Sequence, residues 1–563
     1  MLLRPAVALF LSVILVAPSF AQDLPRAGAS IEVSIVNVDV VVTDRDGNRV
    51  HGLTRDDFEI FENGVRQPIT NFTEYASKAT ASGATAGIET PVAAPQQDVV
   101  SQTPPRTIVI FAEQVTLAPF NAKPLFDGLR DAVRRMVRPG DRASIITWSN
   151  ALVVRQEFTD DVPRLIATLD ELEKVSTGVP GSPAATLANE RALEAMFGDS
   201  MAVRESFKAM SETTARAWDA LHQALFQLFK IRQKTFAIQS VLQRMAGFEG
   251  KKILLMATRR FGQHAGAEFF GGSVPGEYRQ QLDTAQYRDA LTTTANANNI
   301  TIYPLFAEGL GNTMLMNAES NRGLVNPSSD SDLARTAYDQ NILGNELRSL
   351  NVIAQQTGGT MQWSAKEIAA TLPVIAEDLE SYYSLAYRAT GASKRRQKIE
   401  VRAKNRDYVI RARREYVDKT DDVKMNERVI ASLFAPLPGS VIPLTAQIGP
   451  LRPAGRRRWT ATLRVRIPIA SLTALESAKG PSGEFSIYVA PGAIFGLSND
   501  VQKRRQPFTL PRAQAAKARE SFFTYDFTLQ LDAVADRVSV GVFDEISKEF
   551  GVTTVRVPER KVQ

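Results

Sequence analysis

Two periodicities divide the chain. Residues 31 to 72 alternate apolar and polar positions with the period of half-buried strands, placing Val36, Val38, Val40 and Val42 on one face. The turn Asp44-Arg45-Asp46-Gly47-Asn48 follows, and the run Phe58-Glu59-Ile60-Phe61 leads into Asn63-Gly64, a pair that tolerates positive φ and signals a tight hairpin. Together these predict a small N-terminal β-domain over 30–74. Residues 75–104 are rich in Ala, Thr, Gln and Pro and nearly without large apolar groups, which predicts a linker that buries no core. Beyond it, short continuous apolar runs at Ile108 to Ala112, Ala143 to Trp148, Ile253 to Ala257 and Ile300 to Leu305 alternate with amphipathic stretches at 121–137, 203–248, 277–297 and 331–356. Strands apolar along their whole length are buried on both faces, so the pattern predicts a doubly wound, Rossmann-like α/β domain over 105–390. Leu152-Val153-Val154 follows Trp148 too closely for a helical crossover and predicts an antiparallel edge hairpin.

Three further segments complete the organisation. Residues 174–250 exceed a simple crossover and predict a helical insertion, in which Trp218, Leu221, Leu225 and Leu228 form one stripe. That stripe packs on the parent sheet or lines a groove for a partner. Alternating runs on either side of Asn405-Arg406-Asp407 predict a β-hairpin extension over 391–420. From 421 to 563, strand-like runs at Thr460 to Ile467, Phe485 to Val489, Phe523 to Leu529 and Val538 to Val542 are punctuated by Pro and Gly, as in a β-sandwich-like domain.

Composition narrows the setting. A chain of 563 residues that is 44% hydrophobic forms several cores. Its first residues, Met1-Leu2-Leu3-Arg4, an apolar run from Ala6 to Val16, and Ser19 and Ala21 at the small-residue positions predict a signal peptide over 1–21. The expectation is therefore export, to the periplasm or beyond, with no transmembrane span in the mature chain. The chain has no cysteine, which excludes disulfides, thiol nucleophiles and zinc–thiolate sites. A formal charge of +6 from 67 basic and 61 acidic residues is a small imbalance, and the clusters Lys394-Arg395-Arg396 and Arg456-Arg457-Arg458 lack interleaved aromatics, so nucleic acid is not an expected partner.

Seven pieces, in order, resemble the secreted bacterial proteins related to the von Willebrand factor A domain: "VVVTDRDGNRVHGLTRDDFEIFENGVRQPI" at 40–69, "RTIVIF" at 106–111, "VRPGDRASIITWS" at 137–149, "FEGKKILLMATRRFG" at 248–262, "ITIYPLFAEGL" at 300–310, "AQQTGGTM" at 354–361 and "YYSLAYRA" at 382–389. The resemblance implies an A domain flanked by β-domains, with adhesive or scaffolding activity rather than catalysis. It also implies a cation site beyond the strand ends, built from Asp-x-Ser-x-Ser after the first strand, a threonine from a second loop and an aspartate after the fourth strand. Here the first position falls on Glu113, or Gln114 with the register slipped by one. The serine positions fall on Val115 and Leu117, with Thr116 between them, and Thr213 or Thr214 supplies the second-loop hydroxyl. The loop after the fourth strand reads Thr258-Arg259-Arg260, with guanidinium groups where a carboxylate is wanted. A cation beside one carboxylate and two arginines is poorly neutralised, so the expectation is a degenerate site with no bound metal or other cofactor, in which Arg259 and Arg260 pair with Glu113.

Other chemistry finds little footing. His51, His222 and His264 are the only histidines and match no metal-ligand spacing; no Gly-x-Ser-x-Gly elbow or Walker loop occurs. The Asp44, Asp46, Asn48 spacing departs from a calcium loop, with glycine fourth and Arg55 twelfth, and reads as a turn. Gly358-Gly359 reads as a helix C-cap. The functional expectation is an exported, non-catalytic protein-binding or adhesion scaffold with a protein partner. A structural envelope component or an exported hydrolase are the alternatives.

Overall fold

Five strands form the central sheet of the computed structural model, which describes residues 35–75, 105–113, 119–149, 151–178, 212–258, 261–306, 332–361, 365–389, 396–493, 496–497 and 500–559. They are β1 (Thr107–Glu113), β2 (Arg142–Trp148), β3 (Leu152–Thr159), β4 (Lys252–Ala257) and β5 (Ile300–Leu305). The spatial order is β3-β2-β1-β4-β5, parallel except for β3, which is the antiparallel edge strand expected from its short connection to β2. Every residue of β1, β2 and β4 is buried, as their mainly apolar character requires. Side-chain alternation along β1 feeds two cores. Ile108, Ile110 and Ala112 meet α1 (Pro119–Met136), α2 (Val162–Gly178) and α6 (Ala365–Glu380) on one face. Val109 and Phe111 meet α3 (Glu212–Ala246), α4 (Ala285–Ala297) and α5 (Asp332–Thr357) on the other. The fold is thus mixed α/β, with helices on both faces of this sheet.

The helix expected over 277–297 begins only at Ala285, because the Asp283 carboxylate takes the Ala285 N–H at 2.6 Å and closes a local turn ahead of it. The stripe on α3 is shared out among neighbours. Leu221 and Leu225 pack against Val274 and Leu282 in the segment after β4, Leu228 packs against the sheet core, and Trp218 stays exposed. At the end of α5, Gly358 adopts φ +82 and Gly359 N–H returns to Ala354 O at 2.9 Å, the expected cap. The expected leader over 1–21, residues 76–104 of the linker and residues 203–211 lie outside the described residues.

Strands outside this sheet pair in ways the local pattern does not reveal. Ile35–Thr43 lies between Tyr382–Arg388 and Val409–Ala412, and Ile69–Tyr75 completes that sheet on the far side of Tyr382–Arg388. A second sheet joins Val65–Gln67, Phe58–Glu62, Arg396–Ala403 and Glu415–Val417. Their buried faces share one cluster, with Val38, Val40, Phe58, Ile60, Leu385 and Ile399 in it. Two expectations are corrected. The strand at 382–388, placed with the α/β segment, pairs with the first strand of the chain. The runs flanking the Asn405–Asp407 turn do not pair with each other but part into different sheets, because Ile399 and Ile410 face the common core from opposite sides. The Asn63-Gly64 turn carries the expected positive φ at both residues. Asp44 is spent on its own turn, accepting from Asp46 N–H at 2.9 Å and Asn48 N–H at 2.8 Å. Its carboxyl is held below the ordinary value chiefly by the Asn48 side-chain amide.

Two more sheets occupy the C-terminal part. Arg458–Pro468 pairs with Thr445–Ile448, Arg452–Pro453 and Phe522–Asp532, while Ser482–Ala493 pairs with Gln502–Thr509 and Arg537–Asp544, which in turn pairs with Phe550–Arg556. Leu463, Val465, Ile487, Val489, Leu529 and Val540 belong to one buried cluster fed by both sheets. A helix at Asp421–Ser432, capped by the Thr420 side chain, lies between this cluster and α3. A Cβ at Gly247 would lie 2.2 Å from the backbone oxygen of Glu427, so the end of α3 approaches that helix as only glycine permits.

The flanking sheets are tied to the central layer by ions. Asp378 on α6, wholly buried, accepts both guanidinium nitrogens of Arg411 at 2.7 Å, the Tyr303 hydroxyl at 2.8 Å, and Arg49. Nearby, Lys251, just ahead of β4, and Lys252, its first residue, are both buried. Lys251 Nζ donates to Asp378 O at 2.6 Å, and Lys252 Nζ to Phe248 O at 2.8 Å. Burial pushes Lys251 down to about 8 and Lys252 down to about 7. An unfolded lysine titrates near ~10.4. Between these values the unfolded chain binds more protons, so stability is expected to rise with pH from about 7 toward about 10. Above that, buried tyrosines such as Tyr383, pushed up to about 12, reverse the trend, since they ionise first in the unfolded chain. Urea midpoints at a series of pH values check this; a Lys252→Met variant should flatten the rise, and a flat profile in the parent protein would contradict it.

Candidate functional site

Three strand ends meet where β1, β2 and β4 terminate together. In register, Glu113 stands beside Trp148, and Ala112 beside Ala257, so Thr258 follows directly at the end of β4. The α3 face turned toward this point carries Ile231, Lys234, Thr235 and Ile238, all buried. Lys234 therefore delivers an ammonium into the crevice at the carboxyl ends of the sheet, where open α/β folds place their ligands. Its Nζ lies 2.8 Å from Glu113 Oε2 and 3.3 Å from Thr258 Oγ1, and the Thr258 hydroxyl donates to the same Glu113 oxygen at 2.9 Å. Side-chain exposure is 2% for Lys234 and 8% for Glu113, so the pair is out of water. Trp148 and Phe261 flank the ammonium, with ring centroids 5.8 and 6.0 Å away, where ring faces attract cations.

The loop after β4 is fixed from α5. Glu346 accepts Phe261 N–H at 2.6 Å, Asn345 accepts His264 N–H at 2.9 Å, and Asn345 returns an amide hydrogen to His264 O at 3.0 Å. These contacts hold Phe261 against the ion pair.

Sequence reasoning placed Glu113 and Thr258 together, and the fold brings them within hydrogen-bond reach. The fold adds a cationic partner that was not expected. Lys234 answers Glu113, whereas Arg259 and Arg260, like Gln114 and Thr116, lie outside the described residues. Thr213 and Thr214 fall inside the first turn of α3 rather than ahead of it, and their side chains are also outside the description. The missed signal was a lysine on an apolar stripe, between Ile231 and Ile238 at helical spacing. Such a position in a buried face calls for a carboxylate partner.

As a donor set for a divalent cation, the described residues do not fit. One carboxylate and one hydroxyl face an ammonium that already donates to both, and metal coordination would set like charges in contact. Among the described residues, no group of three or more His, Asp or Glu side chains converges on a metal-sized space. The histidines are scattered: His51 lies 3.4 Å from Glu74, His222 is exposed on α3, and His264, whose backbone forms a β-bridge with Asp283, has its pKa lowered by burial.

No family model and no curated protein matches the chain. Solved structures similar to it include proximal thread matrix protein 1 from the mussel byssus, at 10% identity over 49% of this chain and 48% of that one, with a TM-score of 0.21. They also include the vWF domain of the type V pili tip protein Mfa5 from Porphyromonas gingivalis, at 12% identity over 49% and 95%, TM-score 0.21. A third is a von Willebrand factor type A protein from Catenulispora acidiphila, at 8% identity over 81% and 65%, TM-score 0.21. The chain spans about half the length of the mussel protein. At scores this low nothing about the site is carried over from them. Among the described residues no helix is long and apolar enough to cross a membrane.

Proposed function

We propose that the chain is an exported, non-catalytic protein-binding scaffold, built on a von Willebrand A-like α/β domain between β-sandwich-like domains, whose strand-end adhesion site is degenerate. One observation carries this reading: the Lys234 ammonium, 2.8 Å from Glu113 and held by Thr258, stands where a site of this kind would hold its cation. This ammonium has no coordination position to offer, its charge is already met by Glu113, and at 2% exposure it is out of reach of a partner's carboxylate. Recognition then falls to other surfaces and proceeds without a divalent ion. The Met1–Ala21 pattern supports export. Scattered histidines and the absence of thiols speak against an exported hydrolase.

Crosslinking in the native host tests this reading. A partner captured to the same extent in magnesium and in EDTA, with no ester or peptide turnover by the purified chain, is the expected result. Loss of the partner on chelation, or measurable hydrolysis, would contradict it.

A further inference from the structure

We infer that the outer face of α3 is a self-association surface, on which a second copy of this chain packs antiparallel. Three large aromatic side chains are exposed on this one helix: Trp218 at 56%, Phe229 at 50% and Phe236 at 60%. They stand eleven and seven residues apart. At about 100° per residue these spacings return to within about 20° of one line, and at about 1.5 Å per residue the line runs about 27 Å. The opposite face of α3 is the one buried on the sheet through Ile231, Ile238, Val241 and Leu242, so the aromatic line is an additional ridge and not part of the core. Aromatic rings beside arginine are the composition of interface hot spots, and Arg232 lies over the Phe236 ring at 5.8 Å from its centroid.

Charge selects the occupant and its direction. Asp219 sits at the Trp218 end, hydrogen-bonded by Gln223 at 2.9 Å, while Arg232 sits toward the Phe236 end. The two ends of the ridge thus carry opposite charge. A parallel copy would set like charges together; an antiparallel copy sets each basic end against an acidic one and opposes the helix dipoles. With Trp218 of one copy facing Phe236 of the other, the midpoint falls at residue 227. The two Phe229 residues then lie about one helical turn apart, and the two Trp218 residues at opposite ends. Six rings with their neighbours give a contact near or below the ~1,200 Å² of standard interfaces, so the dimer is weak, with a Kd on the order of micromolar.

The absence of cysteine makes the test clean. Sedimentation of the full chain from about 1 to 100 μM should show reversible dimerisation in this affinity range. The Phe229→Ser/Phe236→Ser variant should remain monomeric with an unchanged melting curve, since both positions are exposed. On mild oxidation, Phe229→Cys should form an intermolecular disulfide, whereas Trp218→Cys alone should not. A chain that is monomeric at every concentration, a dimer that survives the double substitution, or equal crosslinking through Trp218→Cys would overturn the inference. Monomeric behaviour would mean that the ridge serves another occupant, and it would leave the reading of the strand-end site untouched.

Discussion

Glu113→Ala is expected to destabilise the central layer by about 3–5 kcal/mol, because it removes the carboxylate 2.8 Å from the buried Lys234 ammonium. Had the acid faced an exposed arginine, the loss would be only ~0–1 kcal/mol, as for surface pairs. The 2% and 8% exposure of the two side chains decides between these cases. Thr258 and the flanking rings of Trp148 and Phe261 soften the loss without replacing the countercharge. Lys234→Met should cost a similar amount, now through loss of the ammonium beside the buried Glu113 carboxylate. The double variant Glu113→Leu/Lys234→Met should regain most of the stability, since apolar replacement of a buried pair is often neutral. Urea unfolding followed by amide exchange in β1 and β4 measures the cycle. Single variants within about 1 kcal/mol of the parent would show that the pair is hydrated or unformed.

Asp378→Ala should be comparably severe. The carboxylate is wholly buried and neutralises Arg49 and Arg411 together, while also accepting from Tyr303. Without it Arg411 loses this carboxylate and Arg49 keeps only the more distant Glu377, at 3.6 Å, at the seam between α6 and the sheet containing Ile35–Thr43 and Val409–Ala412. The expected loss is again about 3–5 kcal/mol, and Asp378→Asn should recover little of it because the charge is missing. Limited proteolysis should then cut at the seam, around Arg49 and Arg411, at temperatures where the parent resists. Melting and cleavage unchanged by Asp378→Ala would remove this tie from the account.

The central layer was readable because its four parallel strands are short, mainly apolar and separated by helical stretches. The expected spans at 108–112, 143–148, 253–257 and 300–305 differ from the observed strands by at most a residue at an end. The flanking pairings were not readable. Period-two alternation fixes which face of Tyr382–Arg388 is buried but is silent on its neighbour, and that neighbour, Ile35–Thr43, lies some 340 positions away in the chain. The strand-end site was half readable. Glu113 and Thr258 follow directly from where β1 and β4 stop, whereas Lys234 arrives from a helix between them in sequence. Its place on the stripe with Ile231 and Ile238 marked it as buried, yet only the fold says which carboxylate it meets.

Thermal melting of the parent protein with increasing magnesium or manganese shows whether the strand end binds a cation. A ligand that binds only the folded state adds roughly 2.7 kcal/mol when present at one hundred times its dissociation constant, a shift that melting resolves readily. With Lys234 already bonded to Glu113 and Thr258, the melting temperature is expected not to move between EDTA and millimolar magnesium. A rise of several degrees that disappears in Glu113→Ala would place a working cation at the strand end and contradict this expectation.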